Sequence, residues 1–220
     1  MKHAPLTLAL PKGRLEEQVK EFFASKGMNF SFNDRKLVAR DEQGCFNIFL
    51  VKNADLPTYV HHGIAGLGVC GEDTLYESGY AFTRLRSFDF GNTKMCLAAQ
   101  SNLAQAMRDQ NDMARALQDT ELKVASKFTR FTKDYFHDIG LPVDIIKLNG
   151  SVELAPVLGL APFIVDLVET GSTLRANKLE VVQVLKEIGV HLIANPSYYK
   201  FHYRRITEVL NLLNTAKESV

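Results

Sequence analysis

Apolar and polar positions alternate in short blocks along the chain, and each block favours either a strand period of two or a helical period. Residues 6–10 (LTLAL) predict a strand that Pro11, Lys12, Gly13 and Arg14 break. Leu15, Val19, Phe22 and Phe23 then fall at helical spacing, with Gly27 as a stop. Phe46, Ile48 and Leu50 mark a second strand, and Asp55 with Pro57 a helix start. Residues 65–70 (AGLGVC) read as a buried strand of small residues, and residues 71–74 turn into another helix. The pattern restarts at Lys94. Strands are predicted at 95–99, 122–125, 143–148 and 163–168, with helices at 103–117 (polar and broken) and 131–137 (ended near Gly140). Ser151 is placed to cap a short helix running to Leu158. Residues 179–188 fit helix or strand; a strand is favoured because the apolar run 190–194 follows at once. Residues 198–215 predict a closing helix with Ile206, Val209, Leu210 and Leu213 on one face.

Alternating strands and helices predict an α/β fold with a largely parallel sheet in each half. Two lobes are expected, the first from residues 1–90 with 180–220 and the second from 91–179, crossing in a loop near 87–93. A ligand would then sit in the interlobe cleft, facing the C-terminal ends of strands.

Charge narrows the function. Lys and Arg total 26 against 25 Asp and Glu, a net +1, which excludes a bulk nucleic-acid binder but leaves room for a local phosphate pocket. No stretch is apolar enough to span a bilayer, so no membrane partner is expected. Residues 1–6 (MKHAPL) lack the apolar region of a signal peptide, and a cytoplasmic address is expected. Cys45, Cys70 and Cys96 are scattered and odd in number, which predicts buried thiols. His61 and His62 are adjacent and make a poor metal pair, and no structural metal is expected.

Four segments carry candidate chemistry. In residues 165–174 (VDLVETGSTL) an apolar strand delivers two acids and a hydroxyl-rich turn. Its backbone N–H groups can hold an anion, and its carboxylates suit sugar hydroxyls or a magnesium–phosphate complex; a plain strand-to-helix turn is the alternative. Lys12 and Arg14 flank Gly13 where a helix begins, as a phosphate grip or a solvated basic turn. Ser151 and Glu153 open a short helix, with Glu153 as a ligand for a hydroxyl or hydrated Mg²⁺, or only as a complement to the helix dipole. In residues 68–73 (GVCGED) the glycines let a base or ribose lie on the backbone, or serve only packing.

Together these segments resemble the catalytic subunit of the ATP phosphoribosyltransferase family of histidine biosynthesis. The matching stretches are 8–15 (LALPKGRL), 55–75 (DLPTYVHHGIAGLGVCGEDTL), 147–160 (KLNGSVELAPVLGL) and 166–179 (DLVETGSTLRANKL), in the family's order. The resemblance implies a two-lobed fold like type II periplasmic binding proteins. It also implies the reaction, in which adenine N1 of ATP displaces pyrophosphate from C1′ of phosphoribosyl pyrophosphate, with Mg²⁺, giving phosphoribosyl-ATP. Donor binding carries over to Asp166, Glu169, Thr170, Gly171, Ser172 and Thr173, with Glu153 beside them. ATP binding carries over to Lys12, Arg14, Lys52, Gly71 and Asp73, with Lys12 and Arg14 as the catalytic cations, and no metal held by protein alone. Lys52 stands where many relatives have arginine, so it offers a point charge and not a bidentate fork. The end at Val220 resembles the family's short form, which implies a homodimer and a regulatory partner resembling a histidyl-tRNA synthetase. A solute-binding module on the same fold and an enzyme using another phosphoribosyl acceptor remain as rival readings.

Overall fold

β1 (Leu6–Pro11) shows how an unbroken apolar run becomes a strand. Leu6, Leu8 and Leu10 enter one core and Ala9 a second, so the strand is covered on both faces. The structure is a computed structural model and describes residues 4–32, 37–108 and 122–214. The chain divides into two units, Met1–Gly91 with Gly189–Val220, and Asn92–Ile188.

The first unit continues with α1 (Arg14–Ser25), β2 (Val38–Arg40), β3 (Phe46–Val51), a 3-10 turn (Asn53–Asp55), α2 (Leu56–His61), β4 (Leu67–Gly71) and α3 (Glu72–Ser78). β5 (Thr83–Gln100) leads into the second unit, which holds α4 (Ser101–Arg108), β6 (Lys123–Ser126), α5 (Thr129–Asp138), β7 (Asp144–Lys147), α6 (Leu154–Val157), β8 (Phe163–Val168) and α7 (Ser172–Ala176). β9 (Leu179–Ala194) returns to the first unit, completed by α8 (Pro196–Phe201) and α9 (Tyr203–Asn214). The fold is α/β. No helix among the described residues is long and apolar enough to cross a membrane.

Glycines end two helices in the same way. After α1, Gly27 has φ +78°, its N–H donates to Ala24 O and the N–H of Met28 to Phe23 O. After α5, Gly140 (φ +73°) donates to His137 O and Leu141 to Phe136 O. Both are Schellman closures, and in each the flanking pair, Phe23 with Met28 and Phe136 with Leu141, is buried in one core.

The first unit's sheet runs β2-β3-β1-β4-β9 and the second's β5-β8-β6-β7. Both are mixed, which corrects the largely parallel expectation. β1 pairs in parallel with β3 and β4, and β6 with β7 and β8. β2–β3, β4–β9 and β5–β8 are antiparallel. For β2–β3 the cause is local: the Gly44 N–H closes a turn onto Asp41 O, and so short a connection joins only antiparallel strands. Residues 87–93, expected as a crossing loop, lie inside β5. Burial there is intermittent, so no apolar stripe marks the strand in sequence. Residues 179–188 are strand, as favoured. The expected helix at 198–215 breaks at His202 into α8 and α9, and Thr215 lies outside the described residues. Of the helix expected at 103–117, α4 covers the first part and residues 109–117 lie outside the described ones.

Asn195 locks α8 in place. Its side-chain oxygen accepts from the N–H groups of Ser197 and Tyr198 (both 3.0 Å), and its amide donates to Val60 O (3.1 Å) and His61 O (2.8 Å). Asn195→Ala removes the cap and the two amide bonds that tie α8 to the end of α2. It is expected to lower stability by about 1.5–3 kcal/mol, read as a lower urea midpoint at unchanged denaturant slope.

Candidate active site

Parallel strands deliver their C-terminal ends to one edge of a sheet, and the sequence-marked residues collect there in both units. In the first unit Pro11 of β1 pairs with Val51 of β3, and the Lys12 N–H extends the ladder to Val51 O at 2.9 Å. Lys12 and Lys52 therefore leave the sheet on adjacent strands, and both are exposed. Gly13, at φ +102°, turns the chain into α1, where Arg14 is the first residue; nothing lies within 4 Å of where a Gly13 Cβ would point.

β4, on the other side of β1, ends at Gly71 and passes directly into α3. Asp73 is buried, accepts from Thr74 Oγ1 (3.1 Å), and Thr74 in turn accepts from Asn53 Nδ2 (3.0 Å). This chain fixes the acid against the segment that follows Lys52. A Cβ on Gly71 would stand 2.1 Å from Asp73 Oδ1, so glycine here admits the carboxylate. Gly68 serves packing: its Cβ would meet Leu56 and Val60 of α2 at 2.8 Å. Gly68 thus makes room for α2 and Gly71 for the Asp73 carboxylate.

In the second unit β6 lies between β7 and β8, with Ser126 in register with Lys147 and Val165. Past β8, Gly171 adopts φ +71° and caps α7; Thr170 Oγ1 donates to Ser172 Oγ (3.1 Å) and accepts from the Ser172 N–H (3.4 Å). Thr170, Ser172 and Thr173 are exposed, as is Glu169. Asp166 is half-buried in β8 and accepts from the Leu167 N–H at 2.8 Å. Burial pushes its carboxyl up to about 6; the Leu167 N–H opposes this, the Glu153 carboxylate adds to it, and Lys127 opposes it.

Glu153 is the N-cap of α6, whereas Ser151 is exposed outside the helix at φ +49°. The expected Ser151 cap is thus corrected: the loop must turn left-handed before α6 can start, and Ser151 makes that turn. Lys127, which no motif marks, is the first residue past β6 and shares this edge. Its only sequence signal is a cation directly after a strand-like run. The three cysteines are buried and free; burial raises Cys70, and Cys96, opposite Asp166 in the β5–β8 ladder, is pushed up to about 11.

A family model described as HisG, ATP phosphoribosyltransferase, matches residues 52–215. The ATP phosphoribosyltransferase of Sulfurimonas denitrificans is 41% identical over 216 residues, 98% of this chain and 96% of that one. That of Clostridioides difficile is 38% identical over 209 residues, 94% of this chain and 96% of its own. Among solved structures, the ATP phosphoribosyl transferase (HisG:HisZ) complex from Thermotoga maritima matches with a TM-score of 0.77 and 33% identity, covering 94% of this chain and 96% of that one. The VFT2 domain of Bordetella pertussis BvgS shares the fold alone, at a TM-score of 0.57 and 16% identity over 99% of this chain and 88% of that one.

Asp166 sets a pH dependence. Its folded pKa of about 6 lies above the ordinary 3.8, so the ionised form is disfavoured in the folded state and stability falls as pH rises between these values. Asp166→Asn keeps an acceptor for Leu167 and removes the penalty. It is expected to stabilise the protein by about 1–3 kcal/mol above pH 6, with the gain vanishing below about pH 4, read from urea midpoints at both ends.

Proposed function

This chain belongs to the ATP phosphoribosyltransferase family, in its short catalytic form, and from that premise we propose how its two units divide the work. It is a pentosyltransferase with a periplasmic-binding-protein-like fold. It condenses ATP with phosphoribosyl pyrophosphate in the first step of histidine biosynthesis.

The second unit takes the donor. The Thr170–Thr173 turn holds the 5′-phosphate through backbone N–H groups and hydroxyls, and Asp166, Glu169 and Glu153 take ribose hydroxyls. The observation that carries this reading is the left-handed Gly171, which opens α7 with exposed hydroxyls on either side. The first unit takes ATP. Lys12, Arg14 and Lys52 meet phosphates, and Asp73, admitted by Gly71, accepts a hydrogen bond from the nucleoside.

In the transfer the N1 lone pair bonds to C1′ while the C1′–O bond breaks, its electron pair leaving with pyrophosphate. N1 carries no proton, so no general base is needed. Lys12 and Arg14 act as the catalytic cations by holding the ATP phosphates so that N1 is presented for attack, and positioning supplies the rest. Among the described residues no group of three or more His, Cys, Asp or Glu is arranged to hold a metal ion. In this reading Mg²⁺ comes with the substrate, bound to the donor's pyrophosphate.

The protein works in the cytoplasm as a homodimer, and with a regulatory subunit resembling a histidyl-tRNA synthetase as a hetero-oligomer. Light scattering is expected to give at least a dimeric mass; a monomer at working concentration contradicts the homodimer.

Mixed with ATP, phosphoribosyl pyrophosphate and Mg²⁺, the protein is expected to release pyrophosphate. Gly171→Val places a β-branched residue at φ +71° and is expected to weaken donor binding about ten- to a hundredfold in calorimetry, leaving ATP binding within about twofold. Arg14→Ala is expected to do the reverse. A correctly folded Gly171→Val that binds the donor normally removes the turn from the donor site.

A further inference from the structure

The cation at the centre of the second unit's strand-end edge is unassigned by the reading above. β6 lies between β8 and β7, so its C-terminal end opens between the Thr170–Thr173 turn, which follows β8, and the Glu153 segment, which follows β7. Lys127 is the first residue at that opening, directly before Phe128, the N-cap residue of α5. We propose that Lys127 is a donor-binding residue, its ammonium holding an anionic phosphate oxygen of phosphoribosyl pyrophosphate between those two segments.

The backbone that carries Lys127 is fixed on both sides. Ser126 is fully buried; its hydroxyl donates to Val165 O of β8 at 2.7 Å and accepts from the Phe128 N–H at 2.9 Å. Phe128 O in turn accepts from the Thr132 hydroxyl (2.7 Å) and the Thr132 N–H (2.9 Å), which ties the start of α5 to the end of β6. Phe128 and Thr132 are buried. The side chain between these anchors is exposed, and among the described residues its ammonium makes no ion pair; it stands 5.8 Å from the Phe128 ring. The backbone at Lys127 is thus held rigidly, while its ammonium stays exposed over the Phe128 ring, where a ligand anion can reach it.

The charge around it points the same way. Asp166, Glu153 and Glu169 bring three carboxylates to this edge, and Lys127 is near enough to Asp166 to favour its ionised form. A donor that carries both a phosphate monoester and a pyrophosphate meets repulsion from these acids. The Thr170–Thr173 turn answers part of it with neutral donors. Lys127 supplies a full positive charge, which also lets the acids face the ribose while phosphate oxygens face away from them.

This assignment rests on the second unit being the donor site, and one set of titrations separates the two. Calorimetry compares the parent protein with Lys127→Met, Lys127→Arg and Gly171→Val, using phosphoribosyl pyrophosphate, ribose 5-phosphate, pyrophosphate and ATP as separate ligands. Lys127→Met is expected to weaken phosphoribosyl pyrophosphate by roughly ten- to a hundredfold and to leave ATP within about twofold, while Lys127→Arg retains most of the affinity. A matching loss for ribose 5-phosphate assigns Lys127 to the 5′-phosphate, and a loss for pyrophosphate assigns it to the leaving group. Unchanged donor affinity in folded Lys127→Met, with affinity lost in Gly171→Val, overturns the proposal and leaves the donor site standing. Unchanged donor affinity in both overturns both. Equal losses for ATP and donor also overturn it, because they mark a general change in the protein.

Discussion

Parallel pairing in a fixed register is the constraint on which both candidate sites depend. In β1 and β3 the register from Leu6 with Phe46 to Pro11 with Val51 leaves no freedom in where Lys12 and Lys52 emerge. The last bond of that ladder, from Lys12 N–H to Val51 O, sets two cations on neighbouring strands at the sheet's edge. A one-residue slip would send Leu6, Leu8 and Leu10 out of the core that buries them, so apolar burial fixes the position of the charges. β6 does the same in the second unit: Val124 and Ala125 are fully buried, and their register with β8 fixes where Lys127 and the Thr170–Thr173 turn stand.

The second unit's edge holds an electrostatic arrangement that folding alone does not favour. A half-buried aspartate near a glutamate resists ionisation. Asp73 shows the opposite design. It is buried but held by Thr74, over a glycine that leaves room for it, and its position is set before any ligand arrives. Stability given up at the strand ends is recovered in the layers beneath them, where Phe23, Phe46, Phe136 and Phe163 are almost wholly buried.

Much of this was legible in the sequence because burial writes itself as pattern. β1, β3, β4, β6 and β8 are runs covered by core, and each was readable as a strand. The first part of β5 was not, since Arg84, Ser87, Asp89 and Asn92 interrupt its apolar positions and only Phe88 is buried among residues 83–93. β2 has three residues, of which only Ala39 is buried, too few to set a period. The break at His202 was hidden because residues 197–214 contain no glycine or proline to mark it. Of the site, the turns with glycine were visible, since glycine at positive φ is a local signal; Gly13 and Gly171 are both such positions. Lys127 was invisible because its significance comes from the strands beside β6, and a single lysine after a strand has no spacing to read. Ser151 misled because a serine before a short helix ordinarily caps it, whereas here the chain needs a left-handed residue first.

The division of labour between the two units is tested most directly by hydrogen exchange with each substrate added alone. Phosphoribosyl pyrophosphate with Mg²⁺ is predicted to slow exchange of the amides at 126–130, 147–153 and 167–173 and to leave those at 12–14 and 71–73 unchanged. ATP is predicted to do the reverse. Slowed exchange at 12–14 and 71–73 with the donor alone, with none at 167–173, would contradict the assignment of the donor to the second unit.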